Sequence, residues 1–278
     1  MTHTAAPPGG KVVRDRAAYA HRLGPAKTMI GTAAAVGVIV PVALVMRRLS
    51  RQSRPRLPWL FHRALARALG IRVIVHGRPA RRGGVLFVAN HLSWADIPVL
   101  GSQLLASFVA KSEVGGWGMI GWLAGLSRTL YVERERRQTT GEARSAIAAR
   151  LAAGDSVILF PEGTNSDGIG VLPFKSSLFA AVTGPEADTF LIQPVTIAYT
   201  RLNGMPITRE RLPDIAWIGD TQLWPHAVAF MSLGRVRAEI RFHPALRIAD
   251  FADRKALARH CHAIVAASYS AMMRGQAG

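Results

Sequence analysis

From residue 71 onward, short runs of branched and aromatic residues alternate with longer stretches of helical periodicity. Strands are predicted over Ile71–His76, Val85–Ala89, Thr129–Val132, Ser156–Phe160, Leu191–Tyr199 and Val236–Phe242. Helices are predicted over 97–106, 140–153 and 251–274. In the second of these, Ala143, Ile147 and Leu151 recur every four residues, and Gly154 supplies a C-terminal stop. Strands alternating with helices indicate an α/β layer fold. Pro194 interrupts one apolar run, and a residue that cannot donate to a ladder predicts a bulge or an edge strand there. No segment repeats another.

The first 70 residues follow a different pattern. Residues 1–28 form a basic lead that opens with small, turn-prone residues, "MTHTAAPPGG". Residues 29–46, "MIGTAAAVGVIVPVALVM", carry no charge. As a helix they would extend roughly 27 Å, just short of a ~30 Å hydrocarbon core. Five basic residues stand on each side, so counting does not set an orientation, and the segment fits a single span or a shallow re-entrant one. The arginines that follow, up to residue 56, would each add about 1 kcal/mol of attraction to an anionic leaflet. In 57–70, Leu57, Leu60, Phe61, Leu65 and Leu69 share one helical face. That face could rest on a membrane interface or pack on the domain that begins at residue 57 and runs to 278.

Composition narrows the partners. The chain has 278 residues, 49% hydrophobic, with a formal net charge of +18. Half of that charge lies in residues 1–56, which hold ten Lys or Arg and one acid, Asp15. Nucleic acid, anionic lipid and acidic proteins all attract such a chain. An apolar segment inside the basic region favours an anionic membrane surface. No basic patch is interleaved with aromatics, so nucleic acid is not expected. The lone cysteine, Cys261, excludes an internal disulfide and any cysteine-rich metal site.

Two strand ends carry candidate chemistry. The run "GVLFVA" leads into "NHLSWAD", residues 90–96. With His91 in the strand-to-helix turn and Asp96 in the first helical turn, the two side chains can meet. A neutral imidazole can take a proton from an alcohol, and a carboxylate on its other nitrogen fixes the tautomer. The same residues also make a plain helix start, with Asp96 or Ser93 as a cap and Pro98 in the first turn. The second strand end is "ILFPEGTNSDG", 158–168, where Gly163 permits close backbone approach and Glu162 and Thr164 can bind hydroxyls. Ligands gather beyond strand ends in open α/β sheets. Arg134 after a strand, Lys111 at a strand end in "FVAKSEV", and Lys175 are candidate anion ligands.

Taken in order, Asn90-His91-x4-Asp96, Tyr131-Val132-Glu133-Arg134, Phe160-Pro161-Glu162-Gly163-Thr164 and Gln193-Pro194-Val195 resemble the four blocks of the PlsC-like glycerolipid (lysophosphatidic acid) acyltransferase superfamily. The resemblance implies a mixed sheet flanked by helices, with an N-terminal membrane-associated helical segment. It implies His91 as general base on the acceptor hydroxyl, oriented by Asp96. Arg134 would bind a phosphate of donor or acceptor, and Glu162 and Gly163 would shape the acceptor site. The donor would be an acyl thioester on acyl carrier protein or coenzyme A, attacked directly, with no cofactor or metal implied. The enzyme would work on a lyso-lipid acceptor at the cytoplasmic face of the bacterial inner membrane. Members acting on lysophosphatidic acid commonly carry arginine after "FPEGT", where this chain has Asn165. Together with "FVAKSEV", "VLPFKSSLF", "QPVTIAYTR" and "AWIGDTQLWPH", that departure resembles the branch that acylates lyso-ornithine lipid, whose product has no phosphate.

Overall fold

The computed structural model describes residues 56–276 except 82, 119–120, 122–123, 125–128, 133–136, 184–188 and 220, and only isolated positions between 30 and 45 ahead of them. Apart from those positions, the expected membrane segment at 29–46 falls outside the described residues, as does the expected phosphate ligand Arg134.

The strands are β1 (Ile71–His76), β2 (Val85–Ala89), β3 (Ala106–Lys111), β4 (Leu130–Val132), β5 (Ser156–Leu159), β6 (Leu191–Leu202), β7 (Met205–Pro206) and β8 (Val236–Phe242). They form one mixed sheet in the order β1-β8-β6-β2-β5-β3-β4, with β7 paired to β6. The pairs β6–β2, β2–β5, β5–β3 and β3–β4 are parallel, as is β1–β8, whereas β8 runs antiparallel to β6. The helices are α1 (Arg56–Ala68), α2 (Asp96–Gly101), α3 (Arg137–Ala152), α4 (Leu223–Met231) and α5 (Arg254–Met273).

Strand alternation sends side chains into two cores. Val85, Phe87 and Ala89 of β2 face one core with Ala66 of α1, Val99 and Leu100 of α2 and Phe230 of α4. Leu86 and Val88 face the other, with Ile147 and Leu151 of α3 and Leu257, Cys261 and Val265 of α5. A sheet covered on both faces reads as continuous apolar runs, as β2 and β5 do. The amphipathic stretch at 57–70 packs on the domain: Phe61, His62, Ala66 and Leu69 are buried, while Leu60 is exposed.

Two expectations are corrected. The helix predicted over 97–106 stops at Gly101, and β3 begins at residue 106. Phe108 enters one core and Val109 the other, the period of a strand buried on both faces. Helix α4 was not predicted. Pro194 lies neither at an edge nor in a bulge; it sits in the interior strand β6, paired with Val88, and the register shift falls at Tyr199/Arg201. A side chain replaces the missing donor. His243 N–H donates to the Pro194 carbonyl at 3.0 Å, and the His243 carbonyl accepts from Gln193 Nε2 at 2.7 Å.

Candidate active site

Neighbouring parallel strands end side by side, so the residues just past them converge. His91 follows β2, Glu162 follows β5, and Tyr199 lies on β6 where it runs on past the end of β2. Asn90 anchors the turn: its Oδ1 accepts from Ile197 N–H at 2.8 Å and its Nδ2 donates to Ile197 O at 2.9 Å. The side chain thus continues the β2–β6 ladder one step beyond the strand.

The Asp96 side chain is fully buried and turned back over that turn. Its Oδ2 accepts from His91 Nδ1 at 2.8 Å, Leu92 N–H at 2.8 Å and Ser93 N–H at 2.9 Å. Its Oδ1 accepts from the Tyr199 hydroxyl at 2.8 Å. A buried carboxylate is tolerable when its lone pairs are filled in this way. The helix cap is Ala95, without a side-chain bond, so Asp96 serves the turn and the imidazole rather than the helix end. The Tyr199 phenol is held well above its ordinary range, first by burial and then by the Asp96 charge.

The His91 ring lies flat on Phe160, with centroids 3.9 Å apart and planes 12° from parallel. With the Asp96 carboxylate accepting, Nδ1 is the donor of the pair, and in a neutral ring Nε2 then keeps its lone pair. Such an imidazole, on a side chain that is partly exposed, can take a proton from a hydroxyl brought to it.

Glu162 is buried, and both its oxygens are engaged by backbone: Oε1 accepts from His91 N–H at 2.7 Å and Oε2 from Leu172 N–H at 2.9 Å. Burial, aided by the charge of Asp96, pushes its carboxyl up to about 7 against the pull of the two amides. Gly163 closes the Phe160–Gly163 turn in the left-handed region, φ 74°, where a side chain would be strained. Ser166 N–H then returns to the His91 carbonyl at 2.8 Å.

The structure thus brings His91, Asp96, Glu162 and Gly163 together. Thr164, Lys111 and Lys175 stand exposed outside this hydrogen-bonded cluster, the lysines at the end of β3 and in the loop after β5. Asn165 is half-buried, and its Nδ2 has no hydrogen-bond partner among the described residues. Sequence reasoning missed Tyr199 and Phe160 as site residues. The one available signal was parity: Tyr199 shares a face of its strand with Val195 and Ile197. A third strut was also missed. Trp217 N–H donates to the Leu92 carbonyl at 2.8 Å, and Trp94 Nε1 donates to His226 Nδ1 at 2.9 Å, tying α4 and its leading loop to the same turn.

Residues 72–198 match the family model described as Acyltransferase. A lyso-ornithine lipid O-acyltransferase of Brucella abortus is 43% identical over 225 residues, covering 80% of this chain and 84% of that protein. A 1-acyl-sn-glycerol-3-phosphate acyltransferase of Neisseria meningitidis serogroup B is 31% identical over 208 residues, covering 74% and 78%. The crystal structure of the 1-acyl-sn-glycerophosphate acyltransferase PlsC from Thermotoga maritima superposes with a TM-score of 0.65 over 89% of this chain and 95% of that one; at 21% identity it supports the fold. The matched domain, the shared fold and the greater likeness to the first relative than to the second place the chain among the PlsC-like glycerolipid acyltransferases, with the lyso-ornithine lipid O-acyltransferase branch.

Proposed function

We propose that this acyltransferase moves a fatty acyl chain from an acyl thioester, on acyl carrier protein or coenzyme A, to the hydroxyl of lyso-ornithine lipid, forming ornithine lipid. The observation that carries the reading is the His91 Nδ1–Asp96 Oδ2 hydrogen bond, made by a His91 side chain that is partly exposed. His91 Nε2 takes the hydroxyl proton as the acceptor oxygen attacks the thioester carbonyl. The tetrahedral adduct collapses, an ester forms, and the sulfur leaves with the proton returned by the imidazolium. Asp96 holds the tautomer and stabilises the transient imidazolium.

Glu162 acts through the backbone: with both oxygens on amides, it positions the His91 turn rather than grasping the acceptor. Arg134 is the proposed ligand for a donor phosphate, and Lys111, Lys175 and Thr164 are candidate rim ligands. Asn165 supports the aminolipid acceptor, because it offers an amide where a phosphate-binding guanidinium would be expected. Residues 57–278 are the proposed acyltransferase domain. Residues 1–28 and 29–56 would bring it to the cytoplasmic face of the inner membrane, although no helix among the described residues is long and apolar enough to cross a membrane.

The test is acyl transfer by detergent-purified protein, with acyl carrier protein and coenzyme A donors offered separately. Turnover of lyso-ornithine lipid that is lost in His91→Ala supports the proposal. The likeness to the Neisseria protein favours lysophosphatidic acid as the second reading. Turnover of that acceptor alone would move the assignment to it, and Asn165→Arg should raise its use. No turnover with any pair overturns the catalytic reading.

A further inference from the structure

Helix α4 has an unusual exterior. Its nine residues, "LWPHAVAFM", include no Asp, Glu, Lys or Arg. His226, Ala227 and Phe230 are buried, while Trp224 is 56% exposed and Val228 44%, with Pro225 and Ala229 beside them. A water-facing helix ordinarily carries charge on its outer face. The whole stretch from Ile215 to Gly234 has one charged residue, Asp220.

The apolar surface continues past the helix. Ile218 is 38% exposed, and Trp117 is 42% exposed with its ring perpendicular to that of Trp217 at 6.0 Å. Trp117, Trp217, Leu223 and Trp224 line an open cleft of about 510 Å³. The cleft is tied to the His91 turn, since the Trp217 amide bonds to the Leu92 carbonyl and the His226 ring to Trp94.

We infer that the outer face of α4, with Trp117 and Ile218, is the surface by which the domain seats in a lipid bilayer. Tryptophan concentrates where an apolar body meets the headgroup layer, and an uncharged helix face buries into the acyl boundary. The net charge of +18 draws the chain to anionic lipid, leaving this uncharged patch to enter the bilayer. The seat rests on the lyso-lipid reading for its purpose: it brings the His91 turn to where such an acceptor resides. Its test does not depend on turnover.

Cys261 is fully buried and its thiol is pushed up to about 12, so a surface cysteine can be labelled selectively in the full chain. An environment-sensitive fluorophore would be placed on Val228→Cys, and on Lys255→Cys at the exposed start of α5 as control. The vesicles would hold phosphatidylcholine and phosphatidylglycerol in equal parts, with brominated acyl chains. The label at 228 is expected to shift to the blue and be quenched on vesicle addition, and the label at 255 to stay in water. A label at 228 that stays in water while the protein binds vesicles would overturn the seat. So would failure to bind vesicles at all. A label at 228 already shielded before vesicles are added, and unchanged by them, would assign the face to another segment of the chain and also overturn it. If the seat holds but acyl transfer fails, only the catalytic reading falls.

Discussion

The Tyr199 hydroxyl donates to Asp96 Oδ1 at 2.8 Å, filling the carboxylate oxygen that His91 does not use. The imidazole is thus held by a group that is itself held, from a strand 103 residues further along the chain. Tyr199→Phe leaves that oxygen buried without its donor, a loss of about 1–3 kcal/mol. The variant should fold with a lower melting temperature and turn over roughly tenfold more slowly, as outer partners of ligating groups commonly require. A changed pH profile of kcat/KM separates positioning from packing, which would alter stability alone.

Asp96→Asn should keep the fold and lose turnover. The amide oxygen can hold the three donors now on Oδ2, while its NH2 faces a tyrosine hydroxyl able to turn and accept. What disappears is the charge that stabilises an imidazolium, with a rate loss of about 10² to 10⁴. Single-turnover acyl transfer alongside thermal melts decides it. A melted protein whose folded fraction reacts at the normal rate would make Asp96 purely structural.

Stability should respond to pH from two sides. Burial raises the Glu162 carboxyl to about 7, above its ordinary 4.5. Its contribution is therefore full below about 4.5 and is lost as pH rises through 7. His62 and His243 are both lowered to about 4 by burial, the latter also by the Arg241 charge. Their contribution is present above 6.5 and is lost as pH falls toward 4. Urea midpoints from pH 4 to 8 should show both limbs. The gap between the parent protein and Glu162→Gln should shift against the parent as pH rises from 5 to 8, by up to roughly 3 kcal/mol. A constant gap would show that Glu162 does not titrate there.

Gly101→Ala should loosen the docking of α1 on α2. A methyl group there would meet the buried His62 ring 2.4 Å away, and that ring is packed against Phe61 and Phe108. Overpacking of this kind costs about 1–3 kcal/mol. The measurement is the urea midpoint, and an unchanged value would mean that the ring yields freely.

The sheet was legible where burial imposes a simple period. β1, β2 and β8 were found with their bounds, and β4, β5 and β6 with errors at one end. Of β3 only the end at Lys111 was read; its start was lost because a short apolar run follows soon after a helix start, and nothing local separates a buried strand from a helix there. The pair His91–Asp96 was visible because both partners lie in one turn. Tyr199 and the backbone role of Glu162 were not, because strand order decides which distant residues become neighbours. Pro194 misled for a related reason: the donor that replaces it comes from the Gln193 side chain, which no propensity describes.

The convergence of two strand ends on the side of β6 also sets when the His91 turn is completed. Glu162 meets the His91 backbone across 71 positions, and Asn90 meets Ile197 across 107. Contacts of such long range form only after extensive loop closure, so they arrive late in folding. A chain still emerging from the ribosome carries the whole His91–Asp96 motif long before Tyr199 has been made. Until β6 pairs with β2, the motif is only a turn, without the Tyr199 donor and the Ile197 backbone that hold it in the folded chain.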